Sequence, residues 1–337
     1  MSISLPSVIF VHFGNTPYLT YTLSIAKLTN PDREMVLIGD DENKKTAFNC
    51  GWKHAKISQT NSNLFNIFQK KYKLIATEHH PDRHRTVDLN KFCFERYFHA
   101  LYFAQENRIE KFWMFDSDDI IVENLNCFEC KLFEEDIKFT RMAYNTPPRG
   151  LMNTQSLENF CISINENFSN EEFISAYQKI LYENPEKAKF SNIQSGNYIA
   201  AFSDMNSGDL FFSHQKEVHL ADSIPGWHFD DCILHANHFN TTTIGSYSKM
   251  NVKEVEFNGK NFTVCRGGQA INFATINGSG LPWQTFSWFF KCVKSRNSTR
   301  QIKSHISAGQ PSFLAEILYV FRRNAISKIK KIKSKLF

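Results

Sequence analysis

The sequence predicts an α/β fold with a mixed sheet flanked by helices, and three observations support this. A strand, a helix and a second strand fit into the first forty residues, as in a right-handed strand–helix–strand unit. Residues 88–107 carry apolar side chains at steps of three and four, which indicates an amphipathic helix. An apolar run then ends abruptly in carboxylates, as a buried strand does at a sheet edge.

The composition is that of a folded protein with a sizeable core. The chain has 337 residues, of which 42% are hydrophobic and 22% are charged, which excludes a disordered protein. No apolar run approaches the roughly 20 residues of a membrane span, and no signal peptide is recognised. The eight cysteines lack a disulfide framework, so we expect reduced thiols and a cytoplasmic protein.

Each element follows from its local pattern. Residues 7–13 predict the first strand, Gly14 to Pro17 end it, and residues 18–28 predict a helix with Pro17 at its first position. Residues 34–39 predict the second strand. In the more mixed second half, strands are expected at 138–143, 198–202, 241–246, 252–257 and 261–265, and helices at 171–182 and 230–238. A glycine-rich stretch follows from 267 to 280, and residues 294–310 read as an irregular linker.

The acidic end of the later strand predicts a chemistry. Phe-Trp-Met-Phe-Asp-Ser-Asp-Asp at 112–119 places Asp116, Asp118 and Asp119 at the carboxyl edge of the sheet, where open α/β folds bind ligands. Two carboxylates two residues apart can share one hard divalent cation, and that cation can bridge a diphosphate. The motif therefore indicates a nucleotide whose phosphate becomes a leaving group.

In this context, Asp116-Ser117-Asp118 resembles the Asp-x-Asp motif of GT-A type nucleotide-sugar glycosyltransferases. The likeness covers roughly residues 7–285. Within this family, the chain is similar to the peripheral bacterial enzymes of polysaccharide and lipopolysaccharide synthesis. The resemblance implies a UDP- or GDP-sugar donor and a Mn²⁺ or Mg²⁺ ion. It implies that Asp118 binds the ion directly and that Asp116 contacts the ion, its bound water or the ribose, with Ser117 in the nucleotide-sugar site.

The resemblance also implies contacts at two other strand ends. Three residues at the end of the first strand would meet the nucleobase and ribose: His12, Gly14 and Asn15. Asp40, at the end of the second strand, is either a uracil or ribose contact or part of a solvated turn. Gly14 could equally shape a turn only.

Arg96 interrupts the apolar stripe of the helix that leads into the acidic strand. A guanidinium group on such a face needs an acidic partner, because an unpaired buried charge is costly. We expect that partner to be the donor phosphate, Asp116 or Asp118. An ordinary surface arginine is the alternative.

Gly-Trp-His-Phe-Asp-Asp at 226–231 resembles the segment that places the acceptor in many GT-A enzymes. A carboxylate there can take the proton of the attacking hydroxyl if the anomeric configuration inverts, so Asp230 and Asp231 are the candidate bases. Asp230 could instead cap a helix that begins at Asp231, and the two roles are compatible. The sequence leaves inversion and retention both open.

Residues 271–283 resemble the family's late segment, in which many members have a metal-binding histidine. Here Asn272 or Asn277 takes that place, and we assign Asn272 as the third ligand, since an amide oxygen can bind a hard cation. Leu281 replaces a lysine of the family pattern. Gly278 could let backbone N–H groups approach phosphate, or could be a loop glycine only.

These assignments divide the chain into a catalytic domain at 1–290, a linker at 291–310 and a tail at 311–337. Within the first, 1–120 would bind the nucleotide and 121–290 the acceptor. The tail is basic and places seven apolar residues on one helical face: Leu314, Leu318, Phe321, Ala325, Ile329, Ile332 and Leu336. A basic amphipathic helix binds an anionic membrane surface, although a helix packed on the domain is the alternative.

The tail predicts a peripheral protein on the inner face of the cytoplasmic membrane, with a glycan or lipid-linked glycan as acceptor. Nucleic acid is not expected, because the basic segment has no reading motif. Two other functions stay open. A haloacid-dehalogenase-like phosphatase also ends a strand in Asp-x-Asp and uses the first acid as nucleophile, but there the motif usually opens the domain. A non-catalytic membrane-associated protein with a degenerate transferase domain would explain the missing late histidine.

Overall fold

A computed structural model describes residues 5–76, 83–134, 139–143, 146–183, 201–213, 218–220, 224–235, 238–245, 249–296, 298 and 302–309. The predicted tail at 311–337 lies outside the described residues, as does most of the predicted strand at 198–202. None of the described helices combines the length and apolar character needed to cross a membrane.

The described strands, in chain order, are β1 Ser7–His12, β2 Met35–Gly39, β3 Lys53–Lys56, β4 Lys111–Phe115, β5 Asp119–Ile121, β6 Phe139–Arg141, β7 Pro148–Asn153, β8 Val218–His219, β9 Trp227–Phe229, β10 Thr241–Ile244, β11 Met250–Lys253, β12 Glu256–Phe257, β13 Phe262–Arg266, β14 Gln269–Asn277 and β15 Ser304–His305. The described α-helices are α1 Leu19–Thr29, α2 Lys44–Asn49, α3 Asn63–Lys71, α4 Arg83–Glu106, α5 Asn126–Glu134, α6 Thr154–Ser169, α7 Glu171–Glu183, α8 Asp204–Phe212 and α9 Trp283–Ser295.

The larger sheet has the order β3-β2-β1-β4-β7-β6-β8. Strands β1, β2, β3 and β4 pair in parallel, and β7 runs antiparallel to β4. Alternate residues of β1 face opposite sides of the sheet, as a pleated strand requires. Ile9 packs into the core that includes Phe94 of α4, and Phe10 into the core that includes Leu23 of α1. The α/β prediction, with helices on the faces of a mixed sheet, is confirmed.

The second sheet begins where the acidic motif ends. Its order is β15-β12-β13-β14-β5, and β9 pairs in parallel with β14. Strand β5 follows β4 after three residues, so the chain leaves the first sheet and enters the second within Asp116 to Asp119. The antiparallel register of β14 and β5 places Asn277 opposite Asp119. The motif therefore lies at the junction of the two sheets.

The predicted helix at 230–238 is wrong for its described residues. Residues 230–235 form a turn after β9, because their backbone donors bond to β14 instead of closing helical turns. The Asp230 N–H donates to the Thr275 carbonyl at 3.2 Å, and the Ile233 N–H donates to the Asn277 carbonyl at 3.1 Å. The alternative role of Asp230 as a helix cap falls with the helix.

Two other expectations are corrected. The glycine-rich stretch from 267 is a tight turn, with Gly267 and Gly268 at φ +57° and +84°, and then the nine-residue strand β14. The described part of the predicted irregular linker is packed. Helix α9 runs through residue 290 to Ser295, β15 pairs with β12, and Ile306 is buried. The functional halves assigned to the chain stay predictions.

Candidate functional site

The acidic motif lies outside the carboxyl ends of β1 and β4. Strand β1 is flanked by β2 on one side and by β4 on the other, so the chain order of the sheet reverses between β1 and β4. Open α/β sheets bind ligands in the crevice at such a switch point. The sheet topology thus places the three aspartates at a position where such folds bind ligands. The local sequence alone could only suggest this position.

Ser117 fixes the motif against the end of β1. Its hydroxyl lies 2.7 Å from Nδ1 of His12 and 3.3 Å from the hydroxyl of Tyr18. Burial lowers the pKa of His12 to about 4, which the nearby Asp40 only partly opposes. The imidazole is therefore neutral at physiological pH and orients Ser117 by hydrogen bonding. His12 and Ser117, both predicted for the nucleotide site, meet in the structure.

Two buried guanidinium groups hold Asp116. Arg96, on α4, forms an ion pair with Asp116 and contacts Asp204 Oδ2 at 2.6 Å. Arg149, on β7, lies 3.1 Å from Asp116 Oδ2 and 3.4 Å from Asp119 Oδ1. Burial opposes ionisation of Asp116, but the two guanidinium groups outweigh it and lower its pKa. Asp116 was among the expected partners of Arg96, whereas Arg149 was missed.

Asp119 acts as a structural link between the sheets. It is fully buried, and its Oδ2 accepts the Asp116 N–H at 2.8 Å. Its Oδ1 accepts a bond from the Asn277 side chain at 2.8 Å. Burial raises the pKa of Asp119 to about 8, against the opposing effect of Arg149. The extra acid of the motif therefore positions its neighbours.

Asp118 differs from Asp116 in having no guanidinium group paired with it in the described structure. It is partly exposed, and within the described part of the chain it has no salt bridge, with the Asn277 amide nitrogen 3.4 Å from Oδ1. Burial, reinforced by the charge of Asp116, raises its pKa to about 6. The charges of Arg149 and Arg96 lower this pKa only in part, so a cation beside Asp118 would stabilise its ionised form.

The charge balance of the cluster agrees with a divalent ion. Four carboxylates and two guanidinium groups form it: Asp116, Asp118, Asp119, Asp204, Arg96 and Arg149. Full ionisation would leave two negative charges uncompensated, in an environment where an unpaired charge is costly. Burial therefore raises the pKa of Asp119 and of Asp118, and a cation would remove this penalty. Oxygen donors of this kind suit Mg²⁺ or Mn²⁺. The residues present therefore fit the ion that the motif predicts.

The amide assigned to this site has to be corrected. Asn272 lies five residues before Asn277 on β14, which separates them by about 15 Å, and its side chain accepts a bond from Asn261 at 3.3 Å. It cannot share an ion with Asp118. Asn277 faces Asp118 and Asp119 instead. The sequence named both asparagines, and the register of β14 on β5 decides between them.

Gly278 is required for packing, and its N–H is already used. That N–H donates to the Asp118 carbonyl at 2.9 Å. A Cβ atom on Gly278 would lie 2.5 Å from Cζ of Phe286 and 3.2 Å from the same carbonyl. The expected N–H contact between Gly278 and phosphate is therefore corrected to a structural contact with the motif itself.

The turns after β1 and β2 also bond to each other. The Gly14 N–H donates to Asp40 Oδ2 at 2.6 Å, and Asp40 Oδ1 accepts the Glu42 N–H at 3.0 Å. Asn15 is exposed and accepts a bond from Thr46 at 3.1 Å. Of the two readings of Asp40, the structure shows its carboxylate capping a turn. Any nucleotide contact made by Gly14 must use atoms other than its N–H.

A second charged cluster lies in the turn after β9. His228, Asp230 and Asp231 offer ligand atoms that all lie within 4.8 Å of one another, a spacing that could hold a metal ion. However, Lys253 of β11 places its ammonium group 2.5 Å from Asp230 Oδ1 and 3.2 Å from Asp231 Oδ1. This lysine already supplies a positive charge, so a metal fits better at Asp118.

The two candidate bases differ in access. Asp230 is 0% exposed, and its two oxygens accept bonds from Lys253 and from the Asn277 N–H at 3.2 Å. Asp231 has an 18% exposed side chain and contacts His235 Nδ1 at 2.9 Å through Oδ2. Burial opposes its ionisation, but His235 and Lys253 lower its pKa strongly. Asp230 is thus sealed from substrate.

The acidic motif and this turn are joined by Arg149. Its second terminal nitrogen donates to the Asp231 carbonyl at 2.9 Å, while the first contacts Asp116 at 3.1 Å. One guanidinium group therefore spans the end of β4 and the residues after β9. The predicted metal-binding and catalytic segments lie side by side.

Comparisons with known proteins give no closer assignment. No protein-family model and no curated protein matches the sequence. Among solved structures, the chain is similar to one described as PaToxG glycosyltransferase, with 12% identity, a TM-score of 0.30, and coverage of 57% of this chain and 74% of the other. It is also similar to a cytidylyltransferase from Leptospira borgpetersenii serovar Hardjo-bovis, with 12% identity, a TM-score of 0.31, and coverage of 64% and 100%. Likenesses this low carry no argument about function.

Proposed function

We propose that this protein is a metal-dependent glycosyltransferase of the GT-A type, which moves a sugar from a nucleotide-sugar donor to a hydroxyl group of a glycan acceptor. The observation that carries the proposal is Asp118: a partly exposed carboxylate without a salt bridge in the described structure, at the switch point of a mixed α/β sheet. Full ionisation of the cluster to which it belongs would leave an excess of negative charge. A cation and the diphosphate it binds would complete this site.

Asp118 would hold Mn²⁺ or Mg²⁺, with Asp116 beside it, and the Asn277 amide nitrogen would orient the Asp118 carboxylate. The bound cation would stabilise the charge that develops on the departing nucleoside diphosphate. The protein's own residues fix this geometry. Ser117 is oriented by His12, and Asp116 is held from two sides by Arg96 and Arg149. Preorganised groups of this kind lower the cost of reaching the transition state.

The phosphatase alternative is weakened by the contacts of Asp116. That mechanism would use Asp116 as a nucleophile, but Oδ1 contacts Arg96 and Oδ2 contacts Arg149. Two guanidinium groups pair with its two oxygens and lower its pKa, which reduces its strength as a nucleophile. Asp116 is better suited to orientation than to attack.

The finer features rest on the sequence resemblance. We propose a UDP- or GDP-sugar as donor and a glycan or lipid-linked glycan as acceptor, in surface polysaccharide or lipopolysaccharide synthesis. We also propose a location at the inner face of the cytoplasmic membrane, mediated by residues 311–337. Co-sedimentation with anionic vesicles, compared between the full chain and a chain ending at residue 310, tests the membrane contact.

Calorimetric titration tests the core of the proposal. UDP or GDP should bind in the presence of Mn²⁺ and bind much more weakly in its absence. Asp118→Asn should abolish the Mn²⁺-dependent binding and keep the fold. Asp209→Asn is a matched control, because Asp209 is an acid on α8 that pairs with Arg141 away from the motif. Equal binding by wild type and Asp118→Asn would refute the site.

A further inference from the structure

We propose that His235, oriented by Asp231, is the general base that accepts the proton of the acceptor hydroxyl, and that the transfer therefore inverts the anomeric configuration. This inference rests on the proposed function and assigns a residue that the sequence did not single out. The Asp231 carboxylate pairs with the His235 imidazole at the edge of the site.

The Asp231–His235 pair has the geometry of an oriented base. Asp231 Oδ2 lies 2.9 Å from His235 Nδ1. The carboxylate accepts a hydrogen bond from the Nδ1–H group, which leaves the lone pair of Nε2 directed away from Asp231. The His235 side chain is 55% exposed. An imidazole that is held in one tautomer on a half-exposed side chain, and whose second nitrogen has no hydrogen-bond partner among the described residues, is suited to accept a proton.

Other groups in the turn are less suited to this role. Asp230 is buried beneath Lys253 and has both oxygens engaged. The oxygens of Asp231 contact Lys253 and His235, which keeps its pKa low, and a strongly acidic carboxyl group is a poor proton acceptor. The carboxylate therefore acts through the histidine.

The turn that carries His235 is fixed close to the proposed metal ligands. Arg149 bonds to the Asp231 carbonyl at 2.9 Å and to Asp116 Oδ2 at 3.1 Å, so these two oxygens lie within about 8 Å of each other across one planar guanidinium group. The Ile233 N–H also bonds to the Asn277 carbonyl. Arg149 and the bond to β14 therefore hold the turn that carries His235 beside the end of β4.

The charged groups that face His235 are Asp231 and Asp230 from the turn and Lys253 from β11. The hydrogen bond to Asp231 raises the pKa of His235, while burial and Lys253 oppose this rise. The raised pKa makes this imidazole a stronger proton acceptor than a histidine without a carboxylate beside it.

The step balances without a further reactant. The acceptor oxygen forms a bond to the anomeric carbon from the face opposite the leaving group. The bond between that carbon and the phosphate oxygen breaks, and the nucleoside diphosphate leaves with the electron pair. The hydroxyl proton passes to Nε2 of His235, which later releases it to water.

The test uses His235→Gln and Asp231→Asn in the full chain, assayed by release of UDP or GDP from a panel of nucleotide sugars with Mn²⁺. His235→Gln should lower kcat by about 10²–10⁴-fold and leave the affinity for UDP or GDP unchanged. His305→Gln is the matched control, since His305 also pairs with a carboxylate, Glu254, at 3.2 Å. It should keep wild-type kcat.

Three readouts separate a base from a structural residue. The acidic limb of the pH profile of kcat/KM should disappear in His235→Gln, added imidazole should restore part of the rate, and the first-formed product should show inversion by NMR. A His235→Gln kcat within twofold of wild type, or a retained configuration, overturns this inference alone when Mn²⁺-dependent nucleotide binding is normal. If the wild-type protein binds no nucleotide, the proposed function is overturned as well. If it binds nucleotide but turns over no donor sugar, the catalytic role of His235 is overturned.

Discussion

Arg149→Met removes the charge that joins the two halves of the site while keeping much of the side-chain volume. Arg149 is buried and contacts Asp116, Asp119 and the Asp231 carbonyl. Removing one partner of a buried ion pair costs about 3–5 kcal/mol, because the other charge stays buried and unpaired. We expect a loss of this size in the free energy of unfolding, measured by urea denaturation near neutral pH.

Arg141→Met is the matched control for this experiment. Arg141 is equally buried, but its partner Asp209 has a 34% exposed side chain and can be solvated when the arginine is lost. The control should therefore lose less stability than Arg149→Met. Arg149→Lys should fall between the two, since it keeps the charge but not the forked geometry. A loss below about 1 kcal/mol for Arg149→Met, or one no larger than for the control, would refute the central place of Arg149.

Three other changes test the fold that supports the site. Glu129→Ala leaves the buried Arg33 without its carboxylate partner at 2.7 Å and should cost about 3–5 kcal/mol in urea unfolding. A loss typical of a surface residue would contradict this. Gly278→Ala places a Cβ 2.5 Å from the Phe286 ring. It should lower the Tm and reduce the free energy of unfolding by about 1–3 kcal/mol. An unchanged Tm would show that the contact relaxes freely. Burial lowers the pKa of His99 to about 4, below its value of about 6.5 in the unfolded chain. As the pH drops, the unfolded state therefore binds the proton first. The free energy of unfolding should fall between about pH 6.5 and pH 4. His99→Gln should remove up to about 3 kcal/mol of this pH-dependent loss of stability, measured as unfolding free energies at both ends of the pH range. An identical pH dependence in wild type and variant would contradict the lowered pKa of His99.

Local patterns in the sequence were sufficient for β1, α1, β2, α4 and β4, whereas α2, β3 and α3 were not predicted. The strands at β1, β2 and β4 are short buried runs bounded by breakers, and α4 shows its period directly. These signals depend only on neighbours along the chain. The carboxylates that end β4 were therefore placed at the correct edge of the sheet, and their expected contact with Arg96 was found.

The rest of the site depends on pairings between distant segments. Whether Asn272 or Asn277 faces the motif is set by the register of β14 on β5, and a strand register cannot be read from one strand alone. Arg149 reaches Asp116 because β7 runs antiparallel to β4. Its one sequence signal was a charged residue between Pro148 and Gly150 in a largely apolar segment. The turn at 230–235 looked helical because its bonds to β14 are non-local.

The most direct test of the account is the position of a bound metal ion. A crystal soaked with Mn²⁺ and UDP or GDP should show an anomalous peak about 2.1 Å from a carboxylate oxygen of Asp118, with the diphosphate on its other side. An anomalous peak among His228, Asp230 and Asp231 instead, or nucleotide bound away from the ends of β1 and β4, would contradict it.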